Sequence, residues 1–365
     1  TLTTLREVGV DVDAALLRLP LTLQYPDGSG LTLPDWRQPL FQGADVAMGV
    51  LRARGWGLRD KMTLLRVAQG WQRKGFACDE RTSVDQLCSK LTPRVMRDMI
   101  EPLVVSALNT PADRASGQVF LTVMRDALFA APQGGVGGSN LLLPRTDLGA
   151  LFPNAALAWL QERGVRVLLG HRLQTLRRSK QHWHAVAGDF AEDFDTVLLA
   201  TPPWDSARLL RDSEIEASAW LRAAEGLRHE AITTVYAHAR GARLARPMLA
   251  LRSTATQPAQ FVFDRGQLTG QSGLLAFVVS ASQGEAASLE AQVIHQGRAQ
   301  LSLPQLQPLK TIVEKRATFA CTPGVQRTST QIAPGLLACG DYVQGPYPAT
   351  LEGAVRSAVA AVTML

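Results

Sequence analysis

A carboxylate, a loop with two prolines and the start of a helix follow one another near the C-terminus. The stretch LLACGDYVQGPYPATLEGAVRSAVAAV places Gly340 and Asp341 at the end of an apolar strand and predicts a helix from about Thr350. A helix N-terminus has unpaired N–H groups and a partial positive charge, so it can bind an anion or an electron-rich oxygen. The Asp341 carboxylate can accept hydrogen bonds from hydroxyl groups. These residues are therefore candidates for binding a ligand that carries both kinds of group.

The early turns of this predicted helix carry the small residues Gly353, Ala354, Ser357 and Ala358. Small side chains would let a flat or bulky ligand approach the backbone. The same residues would equally allow close packing of the helix on a sheet. Asp341 also has a second interpretation, because aspartate is common as a helix cap or turn residue.

The elements that must position this site include a segment in the middle of the chain. A helix at about residues 148–163 is predicted to lead into a strand at Val165–Leu169, and three further strands are centred on Leu173, Trp183 and Val197. The last strand is apolar and ends in the sequence ATPP. A helix that feeds a β-meander of this kind is typical of one half of a dinucleotide-binding domain.

These patterns predict an α/β protein with two domains, one inserted into the other. Segments 137–205 and 311–365 would form the dinucleotide-binding domain. Segment 206–310 reads as strands of a second sheet with a helix at about 285–301. Segment 1–136 reads as helices and a hairpin that belong with this second sheet.

Within the first segment, residues 1–19 have the apolar spacing of a helix, and the alternation around Pro26-Asp27-Gly28 predicts a hairpin. Residues from about 38 to 130 predict amphipathic helices around a core. The alternative is a surface that opens toward lipid, with Trp56 and Trp71 at the interface.

Composition narrows the class of protein. The chain is 46% apolar, without a run long enough to span a membrane and without a signal peptide, which favours a cytoplasmic protein that at most lies on a membrane surface. The net charge of +6 comes from arginines that look scattered along the sequence. Scattered charges favour solvated faces over a nucleic-acid surface, and weak attraction to anionic lipid is the next interpretation.

The four cysteines form no CxxC pair, and we expect them to be reduced. His182 and His184 have no third ligand nearby, so no metal site is predicted.

The sequence GDYVQGPYPATLEGAVRSA resembles the C-terminal flavin motif of the amine oxidase and phytoene desaturase superfamily. The resemblance implies FAD as the cofactor, with Gly340 and Asp341 at the ribityl chain. It also implies that the helix N-terminus lies at the pyrimidine edge of the flavin, and that edge accumulates negative charge on reduction. The helix residues concerned are Thr350, Leu351, Glu352, Gly353 and Ala354.

Two further parts of the chain match the superfamily less specifically. Leu173 sits where its members use a backbone contact to adenine, and Ala200-Thr201-Pro202 sits at a strand end that passes close to the cofactor. Either position could instead be plain sheet core.

Longer phrases resemble one branch, the squalene-associated hydroxysqualene dehydroxylases of bacterial hopanoid synthesis. They are EPLVVSALNTPADRAS, GGSNLLLPRTDLGALFP, LLATPPWDSARLL and EKRATFACTPG, together with the C-terminal motif. Two departures from amine oxidases agree with this branch. Thr350 stands where amine oxidases place a tyrosine of their aromatic cage, and Thr233-Thr234 occupy a strand where those enzymes often carry a lysine.

The strongest superfamily motif, a strand that leads into a GxGxxG loop and a helix, does not occur in this sequence. The glycines at 134–139 follow no apolar strand, so they do not read as a phosphate loop. We therefore expect a chain that lacks an N-terminal part of its family and that binds FAD poorly or not at all.

The resemblance implies a flavoenzyme that reductively removes the hydroxyl of hydroxysqualene to give squalene, with an apolar isoprenoid as substrate. Tyr347 is the candidate general acid because it lies in the loop that would cover the flavin. The alternatives are a carotenoid-type desaturase and an inactive flavoprotein fragment. Peripheral contact with the inner membrane surface is expected for such a substrate, no nucleic-acid partner is expected, and the sequence does not indicate an oligomeric state.

Overall fold

The chain passes back and forth between two units. The computed structural model describes residues 1–35, 43–129, 139–179 and 182–365. Unit 1 contains Thr1–Gly9, Phe152–Arg228 and Val325–Leu365, and unit 2 contains Val10–Leu151 and His229–Gly324. The sequence placed the domain changes after residues 136, 205 and 310. The first of these positions, and most of the glycine loop at 134–139, lie outside the described residues.

Helices occur in both units, and each unit contains several of the longer ones. In chain order they are α1 (Leu2–Glu7), α2 (Val12–Ala15), α3 (Ala44–Arg52), α4 (Leu58–Arg73), α5 (Val84–Leu87), α6 (Pro93–Val95), a π-helical turn (Met96–Ile100), α7 (Glu101–Leu108), α8 (Gly117–Leu128), α9 (Leu148–Leu151), α10 (Pro153–Glu162), α11 (Pro203–Asp212), α12 (Ser218–Glu225), α13 (Arg265–Thr269), α14 (Ala286–Leu301) and α15 (Leu351–Val362).

The strands form several separate sheets. In chain order they are β1 (Leu16–Pro20), β2 (Thr22–Gln24), β3 (Gly30–Thr32), β4 (Asn140–Pro144), β5 (Thr175–Ser179), β6 (His182–Ala187), β7 (Phe190–Phe194), β8 (Val197–Leu199), β9 (His229–His238), β10 (Met248–Ala250), β11 (Phe261–Asp264), β12 (Leu274–Ser282), β13 (Gln307–Phe319), β14 (Gln331–Ala333) and β15 (Leu336–Ala338).

The core of unit 2 is an antiparallel sheet in the order β10-β11-β12-β9-β13. Its strands are rich in β-branched and aromatic residues, which favour a pleated, half-buried surface. One face buries Val235 and Phe277 against Val293 of α14. The strands and the helix predicted between residues 206 and 310 are confirmed, and β13 joins this sheet by pairing with β9.

The N-terminal part of unit 2 is helical, as predicted, with the hairpin β2–β3 around Asp27. Ser83 caps α5, because its Oγ accepts from the Gln86 N–H at 3.3 Å and the Gln86 side chain accepts from the Ser83 N–H. Trp56 and Trp71 are each only 7% exposed. The interpretation that placed these two tryptophans at a lipid interface is therefore wrong, and both belong to the core.

The helix expected over residues 1–19 is shorter and interrupted. Gly9 has φ +85°, a left-handed conformation that ends the first helical segment, and Leu16–Pro20 form a strand. This strand pairs antiparallel with Asn140–Pro144. Local apolar spacing gave no sign of a partner so distant in the sequence, which is why the prediction extended the helix too far.

Unit 1 contains two small sheets, β14-β15-β8 and β5-β6-β7. The strands predicted around Trp183 and Val197 are confirmed, whereas the strand expected at Leu173 begins only at Thr175, and β7 was not predicted. The strand predicted at Val165–Leu169 is wrong, because this segment is irregular and its apolar side chains are exposed. A strand needs a neighbour for its backbone hydrogen bonds, and among the described strands none pairs with this segment.

Unit 2 offers a direct test of its packing at two helical glycines. A Cβ on Gly297 of α14 would lie 2.6 Å from Leu306 Cδ2 and 2.8 Å from Phe277 Cζ, whereas a Cβ on Gly70 of α4 would meet nothing within 4 Å. We expect Gly297→Ala to destabilise the fold by about 1–3 kcal/mol through overpacking. Gly70→Ala should be neutral or stabilise by about 0.5–1 kcal/mol. Thermal unfolding of both variants checks this, and equal midpoints would contradict the packing described here.

Candidate functional site

The predicted site residues of unit 1 meet at one edge of a parallel strand pair. Val197–Leu199 of β8 pair in parallel with Leu336–Ala338 of β15, and the Cys339 N–H continues the ladder to Leu199 O at 3.0 Å. Because the carboxyl ends of parallel strands lie at the same edge, Ala200-Thr201-Pro202 and Gly340-Asp341 are brought together. Open α/β sheets bind their ligands outside this edge.

Tyr342, which was not predicted, joins the two strand ends. Its hydroxyl donates to the Thr201 carbonyl oxygen at 3.2 Å, and Ser206 Oγ lies 3.5 Å from the same hydroxyl. The Thr201 and Ser206 hydroxyls are 2.6 Å apart. Burial raises the pKa of Tyr342 to about 12, so the hydroxyl remains a donor over the physiological range. A Cβ on Gly340 would lie 2.5 Å from Tyr342 Cε1, so the ring requires glycine there.

Ser357 fixes helix α15 to the end of β15. The Gly340 N–H donates to Ser357 Oγ at 2.8 Å, and the same Oγ lies 3.0 Å from the Gly340 carbonyl oxygen. On the same side of the helix, Ala361 packs against Leu337 and Cys339. The small residues of the early turns therefore serve helix–sheet packing here, which is the second of the two interpretations considered for them.

The start of α15 is well formed. Thr350 is the N-cap, with its Oγ1 accepting from the Gly353 N–H at 2.9 Å and donating to the Tyr347 carbonyl oxygen at 2.8 Å. A Cβ on Gly353 would lie only 2.0 Å from that same carbonyl oxygen. The N–H groups of Leu351 and Glu352 have no partner within the helix, because they belong to its first turn.

The Glu352 side chain is engaged away from these N–H groups. Its carboxylate accepts from Arg356 Nε at 2.7 Å and from the Thr1 hydroxyl at 2.7 Å. Burial alone would raise the pKa of Glu352, but the hydrogen bonds from the Thr1 hydroxyl and Arg356 act in the opposite direction and lower it. Only the backbone of Glu352 is thus free to contact a ligand at the helix start.

Asp341 is a half-buried carboxyl group whose pKa is raised by burial, against the opposing effect of the backbone N–H groups of Asp341 and Tyr342. Its own carbonyl oxygen accepts from the Ala349 N–H at 3.1 Å, which closes the loop between the strand end and α15. A carboxyl group in this setting gains from any ligand hydroxyl that donates to it, because the bond favours the ionised form.

The other residues singled out in the sequence lie outside the edge formed by β8 and β15. Tyr347 is half-buried, and the Arg356 guanidinium lies over its ring, 4.8 Å from the ring centre. Leu173 is in the irregular segment before β5 and is not part of the sheet β14-β15-β8. His184 pairs with Asp193 at 2.7 Å and His182 with Asp195 at 2.9 Å, both in exposed positions. No group of three or more metal-ligating side chains occurs in the part of the chain that the structure describes.

The donor and acceptor groups of this edge fit part of a flavin nucleotide. The Asp341 carboxylate suits a chain of hydroxyl groups, and the free N–H groups of Leu351 and Glu352 suit an oxygen that becomes electron-rich. Both lie beside a glycine at which a side chain could not be accommodated. The fold and this edge thus define an α/β protein that binds a nucleotide cofactor at the ends of parallel strands.

The chain belongs to the family of flavin-containing amine oxidoreductases, whose model matches residues 136–365. FAD is the cofactor that this membership assigns. Hydroxysqualene dehydroxylase of Sinorhizobium fredii is 26% identical over 75% of this chain and 64% of its own length. Hydroxysqualene dehydroxylase of Rhodopseudomonas palustris is 28% identical over 71% of this chain and 60% of its own length. The chain therefore spans less than two thirds of these relatives.

Solved structures confirm the fold. An oxidoreductase from Methanosarcina mazei superposes with a TM-score of 0.67 at 14% identity, covering 95% of this chain and 87% of the other. Cyclohexylamine oxidase from Brevibacterium oxydans superposes with a TM-score of 0.65 at 11% identity. The match covers 99% of this chain and 85% of the oxidase chain. The predicted α/β fold of the amine oxidase and phytoene desaturase type is thereby confirmed.

Gly353 provides a test of the helix start. We expect Gly353→Ala to destabilise unit 1 by about 1–3 kcal/mol, because the new Cβ meets backbone atoms that cannot rotate away. The Gly353→Ala variant should also retain less added FAD. Gly345→Ala is the matched control, since its Cβ would come no closer than 3.9 Å to Val343 O. Calorimetry and gel filtration with FAD measure both effects, and identical behaviour of the two variants would refute the close approach.

The Thr350 cap gives a second test. Thr350→Val keeps the shape of the side chain but removes the hydroxyl, so we expect a loss of about 1 kcal/mol in unfolding free energy. Thr350→Ser keeps the cap and should retain most of the stability. Chemical denaturation of the three proteins measures the difference. A valine variant as stable as the serine variant would mean that the hydroxyl does not cap α15.

Proposed function

We propose that the protein is an FAD-dependent oxidoreductase of a long-chain isoprenoid, and that its reaction is the reductive removal of the hydroxyl group of hydroxysqualene to give squalene. The observation that carries this proposal is an apolar cavity in unit 2 with the character of a hydrocarbon site. The names of the two relatives described above point to the same substrate.

The cavity lies among α3, α4, the π-helical turn and α8. Its volume is about 350 Å³, within the range of small-molecule sites. Its larger apolar lining residues are Val46, Val50, Met62, Leu64, Leu65, Trp71, Met99, Ile100, Met124, Leu128 and Phe129, and Arg66, Gln69 and Gln72 also line it. Among the described residues that line the cavity there is no carboxylate. A cavity without a negative charge favours an apolar chain over a protonated amine, because the ammonium group would lose its hydration without compensation.

The chain's own residues supply binding and proton transfer. Bound FAD, when reduced, supplies the hydride that replaces the departing hydroxyl group. Asp341 and the N–H groups of Leu351 and Glu352 would hold the cofactor as described above. Tyr347 would act as general acid, donating its phenolic proton so that the hydroxyl leaves as water. The Arg356 guanidinium beside its ring would stabilise the phenolate that remains.

We also infer that the protein meets its substrate at the surface of a membrane, because a hydrocarbon of this kind dissolves in lipid rather than in water. No helix within the described ranges is long and apolar enough to cross a bilayer. Contact with lipid would then be peripheral, through a surface of the fold.

The proposal is tested by FAD binding followed by product analysis. We expect the purified chain to retain added FAD, seen as flavin absorbance after gel filtration, and to convert hydroxysqualene to squalene under reducing conditions. Asp341→Asn should weaken FAD retention, because an amide accepts hydrogen bonds less strongly than a carboxylate. Tyr347→Phe should leave retention unchanged while lowering turnover by about 10²–10⁴-fold, the usual contribution of a general acid.

The control for proton transfer is Tyr236→Phe, which alters a tyrosine of β9 in the other unit. Conversion of phytoene to a more unsaturated product, with no squalene from hydroxysqualene, would support a carotenoid-type desaturase instead. A folded chain that retains no flavin would support the inactive-fragment alternative and refute the proposed activity for this chain.

A further inference from the structure

The segment in which α3 ends and α4 lies is rich in basic residues. The sequence contains 38 basic and 32 acidic residues, a net charge of +6. Between Arg52 and Lys74 it contains a single acid, Asp60. The basic residues of the same segment are Arg52, Arg54, Arg59, Lys61, Arg66, Arg73 and Lys74. The segment therefore has a net charge of +6, and residues 163–188 form a second basic stretch with six basic residues and no acid.

The same segment exposes large apolar side chains. We call residues 51–66, where α3 ends and α4 begins, the α3–α4 corner. Leu58 is 75% exposed, Leu51 48% and Met62 37%. Arg52, Arg54, Arg59 and Arg66 are exposed around them. Apolar side chains within a ring of guanidinium groups are the composition of a surface that lies in the interfacial region of a bilayer.

The corner is held in this arrangement by polar contacts within the segment and to Thr92. Lys61 Nζ donates to the Leu51 carbonyl oxygen at 2.8 Å, which joins the start of α4 to the end of α3. The Asp60 carboxylate accepts from the Gly57 N–H at 2.9 Å and from the Thr92 hydroxyl at 2.6 Å. The one acid of the segment is thus engaged with neighbouring protein groups. Its negative charge offsets one of the seven positive charges of the segment.

The exposed leucine of the corner leads to the apolar cavity. Leu58, Met62, Leu65 and Gln69 are spaced four, three and four residues apart, so they lie on one face of α4. Met62, Leu65 and Gln69 line the cavity, and Arg66 stands beside them. One face of α4 therefore extends from the exposed side chain of Leu58 to the apolar cavity of unit 2.

We propose that the α3–α4 corner docks on an anionic lipid surface, with Leu58 and Leu51 inserted between the headgroups and the flanking arginines bound to lipid phosphates. The further statement that the stripe of α4 conducts an apolar substrate from the bilayer to the cavity rests on the proposed function. The docking itself does not, because it depends on the exposed leucines and the charge alone.

A nucleic-acid partner fits this surface less well. Phosphate backbones attract the same arginines, but they offer nothing apolar to cover leucines exposed to this extent. A bilayer covers both kinds of group, since acyl chains accept the leucines and anionic headgroups bind the guanidinium groups. Replacement of Leu58 should therefore weaken binding to a bilayer but not binding to nucleic acid.

The test is sedimentation of the purified chain with vesicles of phosphatidylglycerol and phosphatidylcholine, compared with vesicles of phosphatidylcholine alone. We expect binding to the anionic vesicles that weakens with added salt. Leu58→Asp should lower the vesicle partition coefficient roughly tenfold, because it replaces an inserted side chain by a charge. Arg59→Glu should lower it to a similar extent, because it turns an attraction to the surface into a repulsion.

Matched controls separate these effects from a general loss of charge or of apolar surface. Leu148→Asp changes another exposed leucine, in α9, and Arg240→Glu changes an exposed arginine after β9. Both should bind vesicles as the unmodified chain does. Circular dichroism checks that all variants remain folded.

Three results would overturn the proposal. The first is an unmodified chain that does not bind anionic vesicles even at low salt. The second is equal loss of binding in the corner variants and their controls. The third is loss in Arg59→Glu with none in Leu58→Asp, which would indicate a polyanion surface such as nucleic acid. Because vesicle binding requires neither FAD nor turnover, none of these results depends on whether the proposed reaction occurs.

Discussion

The parallel pairing of β8 with β15 is the constraint on which the candidate site depends. These strands are far apart in the sequence, yet their pairing places the two residue groups of the site at one edge. Each strand contributes only three residues, so side chains must complete the junction. Tyr342 does so from one strand to the loop of the other, and Ser357 does so from the helix to the strand. The site is therefore built from hydrogen bonds between a few particular side chains and backbone atoms, and it requires glycine at positions 340 and 353.

Sequence reasoning succeeded where a pattern is local or has a direct physical meaning. The strands of the large antiparallel sheet have clear alternation, and the helix start at Thr350 combines a cap residue with glycine and small side chains. The predicted residues at the two strand ends were brought together by the fold, because carboxyl ends of parallel strands share an edge. Matching to known flavoprotein motifs supplied the cofactor, which no pattern of spacing alone could identify.

The failures have a common physical cause, which is that pairing over long sequence distances leaves no local trace. Leu16–Pro20 have the apolar content of a helix, but their distant strand partner decides their conformation. Val165–Leu169 have the composition of a strand, but composition does not supply a neighbour for the backbone. Tyr342 and Trp71 show the same limit for side chains. Nothing in the sequence distinguished the tyrosine that bridges two strands, or the tryptophan that packs on Phe120 in the core.

The concentration of charge between Arg52 and Lys74 has a consequence for the kinetics of encounter. A molecule that carries a strongly basic segment on its surface experiences a torque in the field of a charged plane as well as an attraction. Rotation toward the preferred orientation would then begin within about one Debye length, roughly 8 Å at physiological ionic strength, before any contact is made. A larger fraction of collisions with the charged surface would then lead to binding, although the contacts in the bound complex would be unchanged.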